Sequence, residues 1–238
     1  MDLPRSFVIR EGDLRILNPL SATKLATLGQ VIKLRPGDHL LDLCCGKGEM
    51  LCTWSRDHGI TGIGVDISTD FLAAARARAD ELCSPVEFEH ADASTYTSRK
   101  KADVVACLGA TWIGEGVQGT LEIAERSLRP GGMVLIGEPF RRGYPPVEYA
   151  MGQQFRSLPE LLKQFRELGW DVVEMVLANQ DDWDRYAAAH WLNIRRWLDA
   201  NPDDPLAPEM RQELTDDPVH HARYQREYLG WGVIALMR

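Results

Sequence analysis

Short apolar runs recur roughly every 20–25 residues through the first part of the chain. The runs His39–Leu43, 60–65, Val86–His90, 102–107 and 133–137 read as strands. Each is taken as short, apolar and unalternating, as expected for strands covered on both faces. Segments with helical spacing lie between them. Residues 49–57 form one. Residues 70–82 form another, in which Phe71, Leu72, Ala75, Ala79 and Leu82 share a face and Ser68 offers an N-cap. Residues 117–128 form a third, stopped by Arg129-Pro-Gly-Gly132. Alternating strand and helix predicts a doubly wound α/β sheet with right-handed crossovers.

The flanks read differently. Residues 13–35 have helical apolar spacing interrupted at Asn18-Pro19, and Pro36-Gly37-Asp38 is a turn. After Phe140 come a loop or short helix (141–159), a helix (160–168) and a sixth strand (170–178). A long, mostly helical stretch over 181–230 is broken at Asn201-Pro-Asp-Asp-Pro205, and 231–237 reads as the last strand. The expected organisation is one domain over 1–238. It comprises an N-terminal helical segment (1–37), a cofactor-binding core (38–140), a connection with the sixth strand (141–180), a helical lid insertion (181–230) and the last strand (231–238).

Composition narrows the classes. Hydrophobic residues at 45% and charged residues at 26% are ordinary globular values, which excludes a disordered or fibrous chain. No apolar run approaches the roughly 20 residues that span a bilayer, so no membrane partner is expected. A net charge of −8 lacks the attraction for phosphates that nucleic-acid binders use, so no nucleic-acid partner is expected. The first ten residues hold no apolar signal core, and the five cysteines are odd in number with no Cys-x-x-Cys. Reduced thiols in a cytoplasmic protein are expected, without disulfides or a zinc site. His220 and His221 are neighbours and cannot face one point on a helix, so no metal site is expected there. Monomer and homodimer are both open.

The sharpest chemical signal is Leu40-Leu-Asp-Leu-Cys-Cys-Gly-Lys-Gly-Glu-Met50, a glycine-bearing turn between a strand and a helix. Such a turn lets backbone approach a ligand, and the helix offers free N–H groups. Asp66 ends the second strand, where a carboxylate can accept from ribose hydroxyls, at roughly 1.5–3 kcal/mol per bond. The combination points to an adenosine-type cofactor. A nicotinamide fingerprint requires a third glycine where Leu51 stands, and Asp42 would repel a pyrophosphate. A phosphate-free, cationic cofactor tolerates that carboxylate, which favours S-adenosylmethionine.

The segment Asp42-Leu-Cys-Cys-Gly-Lys-Gly48 resembles the first motif of class I S-adenosylmethionine-dependent methyltransferases, with Cys44 in place of a glycine. Asp66 in Gly64-Val-Asp-Ile-Ser68, Asp92-Ala93, Cys107-Leu-Gly109 and Arg129-Pro-Gly-Gly132 follow in the family's order. Asn18-Pro19-Leu20 and Asp181-Asp-Trp-Asp-Arg185 are similar to a bacterial small-molecule-type subgroup. The resemblance implies a Rossmann-like, seven-stranded, mostly parallel sheet with an antiparallel last strand. It also implies S-adenosyl-L-methionine as cofactor, with S-adenosyl-L-homocysteine as product. Its implied cofactor residues are Asp42, Cys44, Gly46, Gly48, Asp66, Ile67, Asp92, Ala93, Leu108 and Gly109. By the same resemblance, Asp42 is expected to face the methionine ammonium, Gly46 and Gly48 to make room for the amino-acid end, and Asp66 to grip the ribose. Ile67 is expected to pack on adenine, Asp92 and Ala93 to read its edge, and Leu108 and Gly109 to border the methionine.

Ligands of open sheets bind at the carboxyl ends of strands. Trp112, Glu138, Trp183 and Tyr186 are therefore the substrate-side candidates for a small molecule with an O, N or S nucleophile. Glu138, His190 and Tyr186 are the candidate proton-transfer groups, although His190 and the aromatic stripe of 183–200 also read as plain packing. Methyl transfer needs alignment more than a base. Two alternatives remain at this level: a non-catalytic S-adenosylmethionine-binding regulatory module, and an NAD-dependent oxidoreductase, which Asp42 and Leu51 disfavour.

Overall fold

The computed structural model describes residues 3–149 and 154–238, and its strands follow the apolar runs. They are β1 (His39–Leu43), β2 (Thr61–Asp66), β3 (Val86–His90), β4 (Ala102–Leu108), β5 (Leu128–Arg141), β6 (Asp171–Leu177) and β7 (Leu229–Met237). Together they make one seven-stranded sheet in the order β3-β2-β1-β4-β5-β7-β6. The first five strands pair in parallel, and β7 runs antiparallel to both β5 and β6. The strand order reverses between β1 and β4, the crevice where such sheets bind ligands.

The helices are α1 (Arg5–Arg10), α2 (Ala22–Val31), α3 (Glu49–His58), α4 (Thr69–Leu82), α5 (Val117–Glu125), α6 (Leu158–Glu167), α7 (Gln180–Ala200) and α8 (Ala207–His220). Among the described residues none is long and apolar enough to cross a membrane. Ser68 caps α4 by accepting from Phe71 N at 3.2 Å. Capping boxes start α6 at Ser157/Glu160 and α7 at Asn179/Asp182.

Neighbouring residues of β1 feed opposite layers, which is why the strand reads as continuously apolar. Leu41 and Leu43 join Val105, Val134 and Ile136 beneath Leu121 of α5 and Phe165 of α6. Leu40 joins Val104, Ala106 and Leu135 against Leu25 and Leu28 of α2 and Leu51 and Trp54 of α3. The expectation of strands covered on both faces fails at β3, and β6 is likewise open on one side. Both are sheet edges, and Glu87, Glu89, Asp171, Val172 and Val173 are exposed.

Two other expectations change. The stretch 13–21 is irregular, and a helix begins only at Ala22, where Ser21 accepts from Lys24 N. The Asn18 side chain accepts from Leu20 N at 3.0 Å, and Pro19 has no N–H to give a helix. A short helix, α1, lies further upstream. The helix expected over 117–128 ends at Glu125, because the Arg129-Pro-Gly-Gly132 segment belongs to β5, where a register shift separates Ala102 from Val104 of the neighbouring strand. The long helical stretch is broken after Ala200 as expected, and beyond Pro218 it passes through a π-turn over His221–Gln225 into a short helical turn at Arg226–Tyr228.

Trp54 is 1% exposed and donates from Nε1 to Leu25 O at 3.0 Å, joining α2 to α3. Trp54→Ala removes that bond and leaves a cavity, so chemical denaturation is expected to show a loss of about 3–5 kcal/mol. A loss below about 1 kcal/mol would show that the α2–α3 layer does not support the fold.

Candidate functional site

The loop from β1 to α3 turns through three residues with positive φ: Cys44 (60°), Gly46 (53°) and Gly48 (70°). A side chain at such a φ is strained, so Cys44 holds a conformation that glycine adopts freely. A Cβ at Gly46 would stand 2.8 Å from Leu17 of the N-terminal segment. The loop therefore packs against the chain's own first residues.

Two carboxylates flank this loop. Asp42 on β1 is 4% exposed and Asp66 at the end of β2 is 6% exposed. Asp66 Oδ2 accepts from Gly46 N and Oδ1 from Ser68 N, each at 2.8 Å, so it ties the loop to the end of β2. Burial pushes the Asp66 carboxyl above its ordinary range, opposed by the N–H groups of Ser68, Gly46 and Ile67. Burial pushes Asp42 far higher, and the nearby Asp66 charge adds to this. Burying two carboxylates close together opposes the ionisation of both.

Both acids line a cavity of about 440 Å³, the size of a small-ligand pocket. Nine of the ten sequence-derived cofactor candidates line it: Asp42, Cys44, Gly46, Asp66, Ile67, Asp92, Ala93, Leu108 and Gly109. Gly48 stands apart as the N-cap of α3, where a Cβ would stand 2.6 Å from Phe88. Asp92 is exposed and accepts from Ser94 N and Oγ, which hold its carboxyl below the usual range. Burial raises the thiols of Cys44, Cys45 and Cys107, which keeps them protonated and unsuited to thiolate chemistry.

The other wall is the N-terminal segment, which the sequence reading did not place here. Leu3, Phe7, Ile16, Leu17 and Asn18 line the cavity. Lys47, between the two loop glycines, donates from Nζ to Glu11 O at 2.7 Å and Gly12 O at 2.5 Å. Its ammonium lies 5.5 Å from the Phe71 ring centroid, and Phe71 meets Phe7 at 6.2 Å. The loop from β1 to α3 thus holds the N-terminal strap that covers the cavity. Only Asn18-Pro19 signalled this locally.

Of the substrate-side candidates, Trp112 lines the cavity and is 63% exposed. Glu138, Trp183, Tyr186 and His190 are not among its lining residues. Glu138 follows Gly137, whose carbonyl accepts from Gly109 N at 2.9 Å. Its Oε2 accepts from Thr111 Oγ1 at 2.7 Å, and burial raises its carboxyl to about 7 against that bond. Tyr186 donates to Glu11 Oε1 at 2.8 Å, and burial holds its phenol well above the ordinary value. His190 Nε2 approaches the same oxygen to 3.2 Å without hydrogen-bond geometry. Glu11, 1% exposed, is a buried acid that the sequence reading did not single out.

A family model described as a methyltransferase domain matches residues 40–132. The chain is 58% identical to a SAM-dependent methyltransferase from Geobacter sulfurreducens solved with S-adenosyl-L-homocysteine, at a TM-score of 0.97 over 99% of this chain and 98% of that one. It is 53% identical to one from Thiobacillus denitrificans, solved with the same ligand, at a TM-score of 0.97 over 100% and 99% of the two chains. It is 52% identical to the uncharacterized protein YjhP of Escherichia coli over 100% of this chain and 99% of that protein.

The raised Glu138 carboxyl has a stability signature. Its folded value lies above its unfolded one, so its contribution is full at low pH and is lost as pH rises through about 7. Glu138→Gln keeps an acceptor for Thr111 and cannot ionise. Its melting temperature should therefore fall less than that of the wild type between pH 5 and pH 8. Parallel declines would show that Glu138 ionises freely.

Proposed function

This chain belongs to the S-adenosylmethionine-dependent methyltransferases, and we propose that it moves a methyl group from that cofactor to a small organic substrate at the cavity beside β1 and β2. The observation that carries this reading is the convergence on one cavity of Asp42, Asp66, the Gly46 turn and Gly109. The donor set fits the cofactor. Two buried carboxylates suit a ligand with positive charge and sugar hydroxyls, and Ile67 and Ala93 offer apolar surface to a purine. Nothing in the set calls for a phosphate.

When bound, S-adenosylmethionine supplies a methyl group made electrophilic by its sulfonium, the C–S bond electrons returning to sulfur as the nucleophile attacks. The residues of this chain bind and orient. Asp66 keeps Gly46 in place through one oxygen and can accept from ribose hydroxyls through its remaining lone pairs. Asp42 compensates cationic charge. The strap of residues 3–18 and the helices over 181–230 act as covers that exclude water. Alignment of this kind supplies up to about 7–11 kcal/mol of the barrier.

Glu138 does not line the cavity, but it is held by Thr111, whose neighbours Ala110 and Trp112 do, which makes it the candidate to take a proton from the substrate nucleophile. A carboxyl near 7 exists in both forms around neutral pH, the condition for an effective base. Thr111 occupies Oε2 and leaves Oε1 for the substrate. Tyr186 stays a phenol and serves as a donor.

Asp66→Ala should weaken S-adenosyl-L-homocysteine binding by about 2 kcal/mol in calorimetry, through loss of the charged acceptor. An unchanged affinity would remove Asp66 from the site. A panel of alcohols, amines and thiols scored for S-adenosyl-L-homocysteine formation tests transfer itself. The reading requires turnover with at least one of these nucleophile classes, and none with any class would contradict it.

A further inference from the structure

The chain that leaves β4 forms a single 3₁₀ turn over Thr111–Gly114, closed by Glu115, whose N–H donates to Trp112 O at 3.1 Å. Thr111 O accepts from Gly116 N at 2.9 Å and from Thr120 Oγ1 at 2.8 Å. A Cβ at Gly114 would stand 2.1 Å from Thr120 N, so the turn lies directly on the backbone of α5. A turn held this way keeps its side chains in place before a ligand arrives.

Two of those side chains, Trp112 and Glu115, are exposed and line the same cavity. Among the described residues neither has a side-chain hydrogen bond, ion pair or ring contact. Glu115 has a φ of 54°, in the left-handed region, between Gly114 and Gly116. Glycine adopts that conformation freely, so the position carries a carboxylate at a conformational cost. An unengaged indole and an unengaged carboxylate, on one rigid turn at one cavity, suit a cation. The ring face attracts it through its quadrupole and the carboxylate through its charge.

The rest of the lining agrees. Besides Glu115 it contains Asp42, Glu49, Asp66 and Asp92, with Arg15 as the one basic side chain. Arg15 pairs with Glu81 at 3.1 Å, and Glu49 pairs with Arg78 at 2.8 Å. Asp42 and Asp66 serve the cofactor in the reading above, and Asp92 accepts from Ser94. Glu115 is the carboxylate left for a second ligand. An anionic substrate would meet these acids without a spare base to offset them. A neutral one gains nothing from Glu115 beyond what water already gives it.

We infer that Trp112 and Glu115 form a cation-selecting rim, so that the substrate is a positively charged organic amine whose ammonium rests against the indole face and the Glu115 carboxylate. This rests on the methyltransferase reading above and names the substrate class for it. The ammonium serves recognition, whichever atom of the substrate takes the methyl group.

The test is calorimetric titration of the full-length protein saturated with S-adenosyl-L-homocysteine, using benzylamine, toluene, benzyl alcohol and benzoate as matched probes at pH 7. Benzylamine should bind at least tenfold tighter than the other three. Glu115→Gln removes the charge and keeps the length, and Trp112→Leu removes the ring. Each should cut that preference at least fivefold. Affinity for S-adenosyl-L-homocysteine should stay within twofold in both variants. A purely structural role would lower the melting temperature and leave the ranking of probes unchanged. The inference is overturned if benzylamine shows no saturable binding, if any other probe matches it, or if its preference survives either substitution. A larger loss of S-adenosyl-L-homocysteine affinity in either variant would also overturn it, by moving that side chain to the cofactor. Failure of the wild type to bind S-adenosyl-L-homocysteine would instead contradict the cofactor reading, which separates the two failures.

Discussion

Two carboxylates, Asp42 and Asp66, are buried on adjacent strands and face one cavity. That arrangement is unfavourable by itself. Taking a carboxylate out of water costs several kcal/mol, and a second negative charge nearby adds to it. The fold accepts the burden because each acid has a task. Asp66 spends one oxygen on Gly46 N and the other on Ser68 N, fixing the loop to the start of α4. Asp42 has a strongly raised carboxyl and needs either a proton or a cation. In our reading the cofactor brings that cation, so cofactor binding offsets part of the cost of burying both acids.

The closure of the cavity follows from the same loop. Lys47 reaches up to the strap, and Leu17 comes down onto Gly46. The strap continues to α7 through Tyr186 and through Asn193, which donates to Arg10 O at 2.8 Å. Its outer fastenings are ion pairs, Arg5–Asp204, Arg10–Glu213 and Arg196–Asp13. Exposed pairs of this kind contribute about 0–1 kcal/mol each and weaken with salt. No residue of α1 is buried. The segment that covers the cavity is held by these polar contacts together with partly buried apolar ones from Phe7, Ile9 and Ile16, while the sheet beneath is held by two fully buried apolar layers. Segments of that sort open at lower free energy than the core, which suits a cover that must admit one ligand and release another.

What the sequence disclosed was whatever depends on local pattern. The runs at 39–43, 86–90 and 102–107 became strands, Ser68 capped α4, and the loop at 44–48 took the positive φ values that its glycines advertise. Local pattern failed where distant contacts decide. The apolar spacing of 13–21 imitates a helix, but Ile16 and Leu17 are apolar because they face the cavity. Val86–His90 was read as covered on both faces, yet its position at the sheet edge exposes its glutamates. Glu11 had no signal: its burial depends on residues 186 and 190, which meet it only in the folded chain. Trp183 and Tyr186 were assigned to the substrate side on their helical stripe, and the structure adds that this stripe meets the strap rather than the main cavity.

The central claim is that burial raises the Asp42 carboxyl and that the cationic cofactor lowers it again on binding. Calorimetric titration with S-adenosylmethionine at pH 6, repeated in two buffers of different ionisation enthalpy, reads the protons exchanged on binding. The account predicts net proton release by the wild type and none by Asp42→Asn. Binding without proton release, or release that persists in Asp42→Asn, would contradict it.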